Sequence, residues 1–311
     1  MRVVVVGLGV QGQKRRAVAG NDVVATVDPI HPDAQYRRLE EVPLAAFDAA
    51  LLCIPDEPKI ALIQYLLTNQ KHLLVEKPLF AGNPADLLGL KELADQNRTT
   101  CYTAYNHRFE PHFVRMKQLI ESGKLGRIYN VRMFYGNGTA RLVRNSDWRD
   151  QGAGVLPDLG SHLLDTALFW FGKPDSGFKI HSANCFENRS YDHVSFGSNA
   201  DLVLQFEVTL LSWRNHFYAD VVAEHGSAHI SSLCKWGPST FSVRDRKLPS
   251  GRPDEESVTL VQPDPTWAIE YEHFKNLCKT GQHNIENDIW VNANLQNLAE
   301  DLTQGAGSRS C

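Results

Sequence analysis

Val3-Val4-Val5-Val6-Gly7-Leu8-Gly9-Val10-Gln11-Gly12 stands near the start of the chain. Four β-branched residues in a row predict a strand buried on both faces. The glycines that follow form a full G-x-G-x-x-G, and a helix is expected from there through Ala19. A second strand, Val23–Val27, ends at Asp28, 16 residues past Gly12. The glycine pattern alone is weak. With a strand before it, a helix after it and an acid closing the next strand, it has the context of a dinucleotide site. Gly7, Gly9 and Gly12 would let the backbone approach a pyrophosphate, whose charge meets the donor-rich helix start at Val10 and Gln11. Asp28 would accept hydrogen bonds from an adenosine ribose and repel the extra phosphate of NADP. Pro29-Ile30-His31-Pro32 offers no arginine beside it, so NAD is favoured over NADP, although Arg37 and Arg38 could fold back.

Outward from this unit, strand and helix alternate. Pro29 to Pro43 is too short and proline-interrupted for a full crossover helix. Ala49–Ile54 reads as a strand ending at Pro55, with Asp56 as cap and Pro58 in the first turn of a helix to about Asn69. Leu73–Val75 is a buried strand that stops at Glu76-Lys77-Pro78, because proline cannot continue a ladder. Lys77 thus projects from the carboxyl end of a central strand, the edge where open α/β sheets bind ligands. An X-Pro bond is also the one peptide that can be cis at modest cost. Asn83–Asn97 is a leucine-rich helix and Thr99–Tyr105 another strand. The alternation predicts a doubly wound parallel sheet of the Rossmann type.

After Tyr105 the texture changes. Pro111–Ser122 is a helix, and Ile128–Tyr135, Ser182–Phe186, Leu202–Leu210, His216–Val222 and Ala228–Ser232 read as strands spaced by Gly, Asn and Ser. One long helix begins near Leu159, and two more cover Trp267–Thr280 and Asp288–Leu302. The reading is an α/β chain with two domains. Residues 1–107 bind the dinucleotide, and 108–311 form an α+β substrate domain with a large, mostly antiparallel open sheet. One helix cannot cover so many strands, so a homodimer or homotetramer through the bare face is expected. Gly305–Cys311 should be disordered.

Composition bounds the rest. A net charge of −4 and an ordinary apolar share of 42% argue against a nucleic-acid or anionic-membrane binder. Six cysteines without a C-x-x-C pair or His–Cys ligand spacing suggest reduced thiols and no metal site. No apolar run approaches a membrane span, and the opening residues lack a cleavage site, so a cytoplasmic protein is expected.

Gly152–Asp165 carries the second cluster of chemistry. Asp158 and His162 are four apart and share a face in a helix. A histidine near a helix start would be kept neutral by the dipole, ready to accept a proton. Alternatively, Asp158 is a cap and His162 a bonded core residue. Arg141, Arg144 and Arg149, with Trp148 among them, could hold an anionic substrate group, or be solvated charges beside a packed tryptophan.

Taken together, Gly7-x-Gly9-x-x-Gly12, Glu76-Lys77-Pro78, Tyr105-Asn106-His107-Arg108-Phe109 with Pro111, and Asp158-x-Gly160-Ser161-His162-x-x-Asp165 resemble the Gfo/Idh/MocA oxidoreductases in order and spacing. The resemblance implies a catalytic set of Lys77, Asp158 and His162. In it His162 is the acid/base, Lys77 stabilises the alkoxide, and Asp158 orients substrate or histidine. It implies cofactor contacts from Pro55, Glu76, Lys77 and Asn106 beside the glycine loop and Asp28. Arg108, Trp148 and Arg149 are substrate candidates, Arg108 being equally readable as an ion-pair partner. Two departures stand out: Pro55-Asp56-Glu57-Pro58-Lys59 where relatives often carry Pro-Asn-x-x-His, and the shortened segment after Asp28. The implied activity is hydride transfer between NAD and a secondary alcohol or ketone of a sugar, cyclitol or nucleotide sugar. Alternatives are a diol or tetrapyrrole substrate, a glycosidase with tightly held NAD, and a dinucleotide sensor without turnover.

Overall fold

The structure, a computed structural model, describes residues 1–147, 149–174 and 177–305. The chain forms two units. The first holds Met1–Asn106 with Thr266–Asn292, the second His107–Pro265 with the chain from Ala293 onward. Beyond the boundary expected at residue 107, Thr266–Asn292 thus returns to the first unit.

The first unit runs β1 (Val3–Val6), α1 (Val10–Ala19), β2 (Val23–Val27), β3 (Ala49–Leu52), α2 (Lys59–Thr68), β4 (His72–Glu76), α3 (Pro84–Asn97) and β5 (Cys101–Ala104). Its sheet is parallel, in the order β2-β1-β3-β4-β5. Val3–Val6, Leu51, Leu52 and Leu73–Val75 are buried, as two-sided strands require. The chain leaves β1 towards β2 and later winds the other way from β3, so the switch point lies between β1 and β3. α3 begins as its sequence dictates: the Asn83 side chain accepts the Ala85 N–H at 3.1 Å and Pro84 opens the helix. α2 corrects an expectation. It starts at Lys59 with no side-chain cap, and Asp56 instead accepts from the Lys59 ammonium at 2.7 Å.

The short segment after Asp28 contains no crossover helix, only 3₁₀ turns at Leu39–Glu41 and Leu44–Ala46. Among the described residues, no strand pairs along the outer side of β2. The Gln35 and Tyr36 amides donate to the Thr26 carbonyl at 3.1 Å, with one bridge between Val27 and Tyr36. On the inner side the register slips: Val3 faces Val23 and Val4 faces Ala25, so Val24 is passed over.

The second unit holds α4 (Pro111–Glu121), β6 (Ile128–Gly136), α5 (Ala140–Arg144), α6 (Ser161–Phe171), and strands β7 (Lys179–Asn184), β8 (His193–Asn199), β9 (Val203–Thr209), β10 (His216–Ala223), β11 (Gly226–Ser231), β12 (Ser239–Lys247) and β13 (Gly251–Leu260). They form one eight-stranded sheet, β13-β12-β11-β10-β6-β9-β8-β7, antiparallel except at β6–β9. β8, β12 and β13 were not foreseen, and β7 lies earlier than expected. Along β6 the residues Val131, Met133 and Tyr135 are buried while Arg132 is exposed, the alternation of a sheet with one covered face. α6 is buried almost all round, Ser161–Leu168 and Trp170 all being buried. The last helix, Ile285–Gly305, begins in the first unit and ends in the second.

No helix among the described residues is long and apolar enough to cross a membrane. Cys53, Cys101, Cys234 and Cys278 carry free thiols. Cys185 departs from the expectation of reduced cysteines, being disulfide-bonded. Trp148 and the expected disorder at the carboxyl end (306–311) fall outside the described residues.

Candidate active site

In the first unit the chain leaves β1 through a glycine cradle. Gly7 adopts φ +88°, and a Cβ there would run into the Cys53 carbonyl at the end of β3. A Cβ on Gly12 would run into the Gly7 carbonyl, so α1 can approach the strand end only with glycine at that position. Gly9 is different: a Cβ there would meet nothing within 4 Å. Gly9 closes no contact in the fold and leaves the α1 N-terminus open to an incoming anion. Val10, 75% exposed, and Gln11 stand at that helix start, which carries no side-chain cap. This geometry fits a pyrophosphate.

Asp28 sits where the acid of a dinucleotide site belongs, yet its oxygens are already engaged. Oδ2 accepts the Leu8 amide at 2.8 Å, and Oδ1 accepts those of Ile30 and His31 at 3.0 and 2.8 Å. Burial opposes its ionisation, but donors from Leu8, His31 and Ile30 outweigh that and hold the carboxyl below its ordinary value. One lone pair on Oδ2 remains for a ribose hydroxyl. Arg37 does fold back, donating to the Asp28 and His31 carbonyls at 3.2 and 2.8 Å.

Lys77 follows β4 directly, half-buried, and its bond to Pro78 is cis. Glu76 accepts from Arg15 Nε at 2.6 Å, while Arg15 Nη2 meets Glu270 at 2.7 Å. Pro55 is exposed just past β3. Asn106, nearly buried, donates to the Thr266 hydroxyl at 2.8 Å.

Asp158 and His162 belong to the second unit. Residues Leu156–Gly160 form a π-helical turn that runs into α6 without a break. Asp158 lies inside that turn, not at the cap position, which Val155 takes for the turn and Gly160 for α6, and His162 is six residues into continuous helix, past the first turn where free N–H groups act. The dipole argument made from the sequence loses its geometric basis. A π-turn widens the helix locally, and such turns occur often at functional sites.

His162 is 6% exposed and stacks on His107, ring centres 4.2 Å apart. Tyr135 meets it edge-on at 5.5 Å, and Trp236 packs against Tyr135 with ring centres 5.6 Å apart. Burial, then the charges of Asp158 and Glu110, push the Tyr135 phenol well up. Asp158 is 3.6 Å from the Arg149 guanidinium, both about one-third to two-fifths exposed. Arg108 takes the ion-pair role: its Nε and Nη2 grip the Asp165 carboxylate at 2.6 to 3.1 Å. Burial raises the Asp165 carboxyl even against that pairing.

His107, Tyr135, Arg15, Lys59 and Glu270 were missed from the sequence. A signal existed for two of them. Gly12, Arg15 and Ala19 share the buried stripe of α1, and Lys59 leads the buried stripe of α2 through Ile63. A cation on a buried stripe must have a purpose-built partner.

A parallel sheet with a glycine cradle at its switch point defines a dinucleotide-binding α/β protein. Residues 1–105 match the family model "Oxidoreductase family, NAD-binding Rossmann fold", and residues 113–229 match "GFO/IDH/MocA C-terminal domain". The chain belongs to the Gfo/Idh/MocA oxidoreductase family, and its first unit is the NAD-binding Rossmann fold of that family. Among curated relatives, an uncharacterized oxidoreductase of Schizosaccharomyces pombe is 33% identical over 146 residues, 45% of this chain and 38% of that protein. The scyllo-inositol 2-dehydrogenase (NADP(+)) of Bacillus subtilis is 28% identical over 184 residues, 58% of this chain and 47% of that protein. The chain thus spans about half or less of the length of these relatives. Among solved structures, levoglucosan dehydrogenase with NADH and L-sorbose shares the fold at TM-score 0.83 and 16% identity, covering 98% of this chain and 97% of that one.

Proposed function

We propose that this protein is an NAD-dependent dehydrogenase that transfers a hydride between nicotinamide and a secondary alcohol or ketone of a sugar, cyclitol or nucleotide sugar. The carrying observation is Lys77, delivered by a buried strand of the same sheet that holds the glycine cradle. Bound NAD supplies the hydride acceptor. The chain manages the proton: His162 takes it from the reacting hydroxyl, Lys77 stabilises the oxygen as it becomes alkoxide, and Asp158 orients substrate. Arg149, already drawn to Asp158, is the better substrate candidate of the two arginines, since Arg108 serves Asp165. The inositol dehydrogenase relative and the levoglucosan dehydrogenase fold favour a polyol.

The test is incubation with NAD and a panel of cyclitols, free sugars, sugar acids and nucleotide sugars, following absorbance of reduced nicotinamide. Tight NAD binding without turnover on any of them would favour a sensor.

Cofactor choice has a second reading, because Arg37 folds back beside Asp28. The carboxylate is the nearer charge, so NADH should bind about tenfold or more tightly than NADPH, a difference of ~1.4 kcal/mol per decade. Fluorescence titration with both decides it. Tighter NADPH binding would transfer the specificity to Arg37.

We also propose a homodimer or homotetramer through the outward face of the eight-stranded sheet. Phe134 and Tyr218 stack there at 5.3 Å, with His216 edge-on to both, amid polar neighbours. Light scattering should give at least twice the chain mass. A monomer at every concentration would refute it.

A further inference from the structure

The residues on either side of Lys77 are held by buried charges. On its amino-terminal side, Glu76 accepts from Arg15 at 2.6 Å. Arg15 is 1% exposed, its guanidinium lies 4.2 Å over the Trp267 ring, and its other end meets Glu270 at 2.7 Å. On the carboxyl-terminal side, the Lys59 ammonium donates to the Pro78 carbonyl at 2.9 Å and to Asp56 at 2.7 Å. Lys59 is only 2% exposed. Farther along, the Asn292 side chain accepts the Ala81 N–H at 3.1 Å and donates to the Ala81 carbonyl at 3.2 Å.

Burying a lysine and an arginine is costly unless the partners return the lost hydration. Here they return it on the residues flanking Lys77, and Lys59 does so through backbone, which fixes the main chain itself. The same contact accounts for the unusual Pro55–Lys59 segment: Lys59 stands where relatives often have histidine, and it reaches the turn after β4.

We infer that Lys59 and Arg15 are positioning residues for Lys77, clamping Pro78 and Glu76 so that the main chain from which its side chain departs is held in place. The consequence for turnover rests on the reading of Lys77 as catalytic; the clamp itself does not. A misplacement of about 1 Å at a reacting group can cost on the order of 10²-fold in rate.

The discriminating variant is Lys59→Met. It keeps the stem and leaves behind a half-exposed Asp56, whereas removing Arg15 would endanger the fold. Hydrogen exchange of the Lys77 and Leu79 amides should quicken about tenfold, corresponding to ~1.4 kcal/mol of lost local protection. Unchanged exchange overturns the clamp. With the substrate found in the panel, Lys59→Met should lower kcat by roughly 10- to 10²-fold and leave NADH affinity within about threefold. In a Lys77→Met background it should cost nothing further, because it acts only through that residue. Equal losses in both backgrounds would mean a general structural role and overturn the inference. Normal turnover in Lys77→Met alone would sink the catalytic reading of Lys77, and hydrogen exchange would still report separately on the clamp.

Discussion

His162→Ala should lower turnover by roughly 10² to 10⁴, the usual worth of a positioned proton-transfer group. NADH affinity should barely change, since the proposed reading gives that binding to the Gly7–Gly12 cradle and Asp28. The variant also removes a ring stacked on His107 and met by Tyr135, so some loss of stability is expected beside the catalytic loss. His162→Gln separates the two effects. It restores much of the volume and a polar end but cannot relay a proton at neutral pH, so its melting temperature should recover while its turnover does not. In its proposed role Lys77 stabilises the developing alkoxide, so Lys77→Ala should be comparably damaging. Lys77→Arg should not rescue it: a guanidinium is larger, planar and unable to release its proton. Near-normal turnover in His162→Ala would end the catalytic assignment of that residue.

The largest effect on stability is expected at Arg15. Arg15→Met should destabilise the first unit by about 3–5 kcal/mol, the cost of stripping one partner from a buried ion pair. That is a large share of the ~5–15 kcal/mol by which domains are stable. Two carboxylates would be left facing a dry interior, Glu270 fully buried and Glu76 nearly so. Even in the native protein burial, helped by the charge of Glu76, pushes Glu270 up to about 7 against the pull of Arg15. Glu270→Gln in the Arg15→Met background should therefore recover part of the loss, by removing one of the stranded charges. Urea denaturation of the single and double variants measures this. A loss under about 1 kcal/mol for Arg15→Met would mean that water or a side-chain shift relieves the charges.

The first sheet was legible because its strands are buried on both faces and so are written as unbroken runs such as Val3–Val6 and Leu73–Val75. Glycine, proline and asparagine then marked where each run ended. Half of the second sheet followed a clear alternation, as in Ile128–Tyr135. β8, β12 and β13 escaped for a physical reason. β13 reads Gly251-Arg252-Pro253-Asp254-Glu255-Glu256 and lies exposed at the sheet edge, where its partner β12 rather than any core selects its conformation. Pairings such as Arg244 with Glu255 at 2.7 Å and Ser242 with Ser257 at 2.7 Å hold that hairpin, and no hydropathy pattern records them. The same limit applies to the candidate site. Lys77, Asp158 and His162 were marked by motif; His107 stood in the Tyr105–Phe109 motif without a role, and its stacking on His162, like the approach of Tyr135, comes from tertiary packing. The π-turn was invisible too, because its sequence reads as an ordinary helix start.

β2 is one of the two edge strands of the first sheet, and an open strand edge is a template on which foreign chains can grow. Two devices spoil that template. The register slip at Val24 breaks the even spacing of hydrogen-bonding groups, and the Gln35–Tyr36 strap occupies the carbonyl of Thr26. The chain has traded a sixth strand for a guarded rim, which keeps the sheet from recruiting neighbours during folding. Straightening this rim, by deleting Val24 or loosening the strap, would turn a self-contained fold into a seed for aggregation.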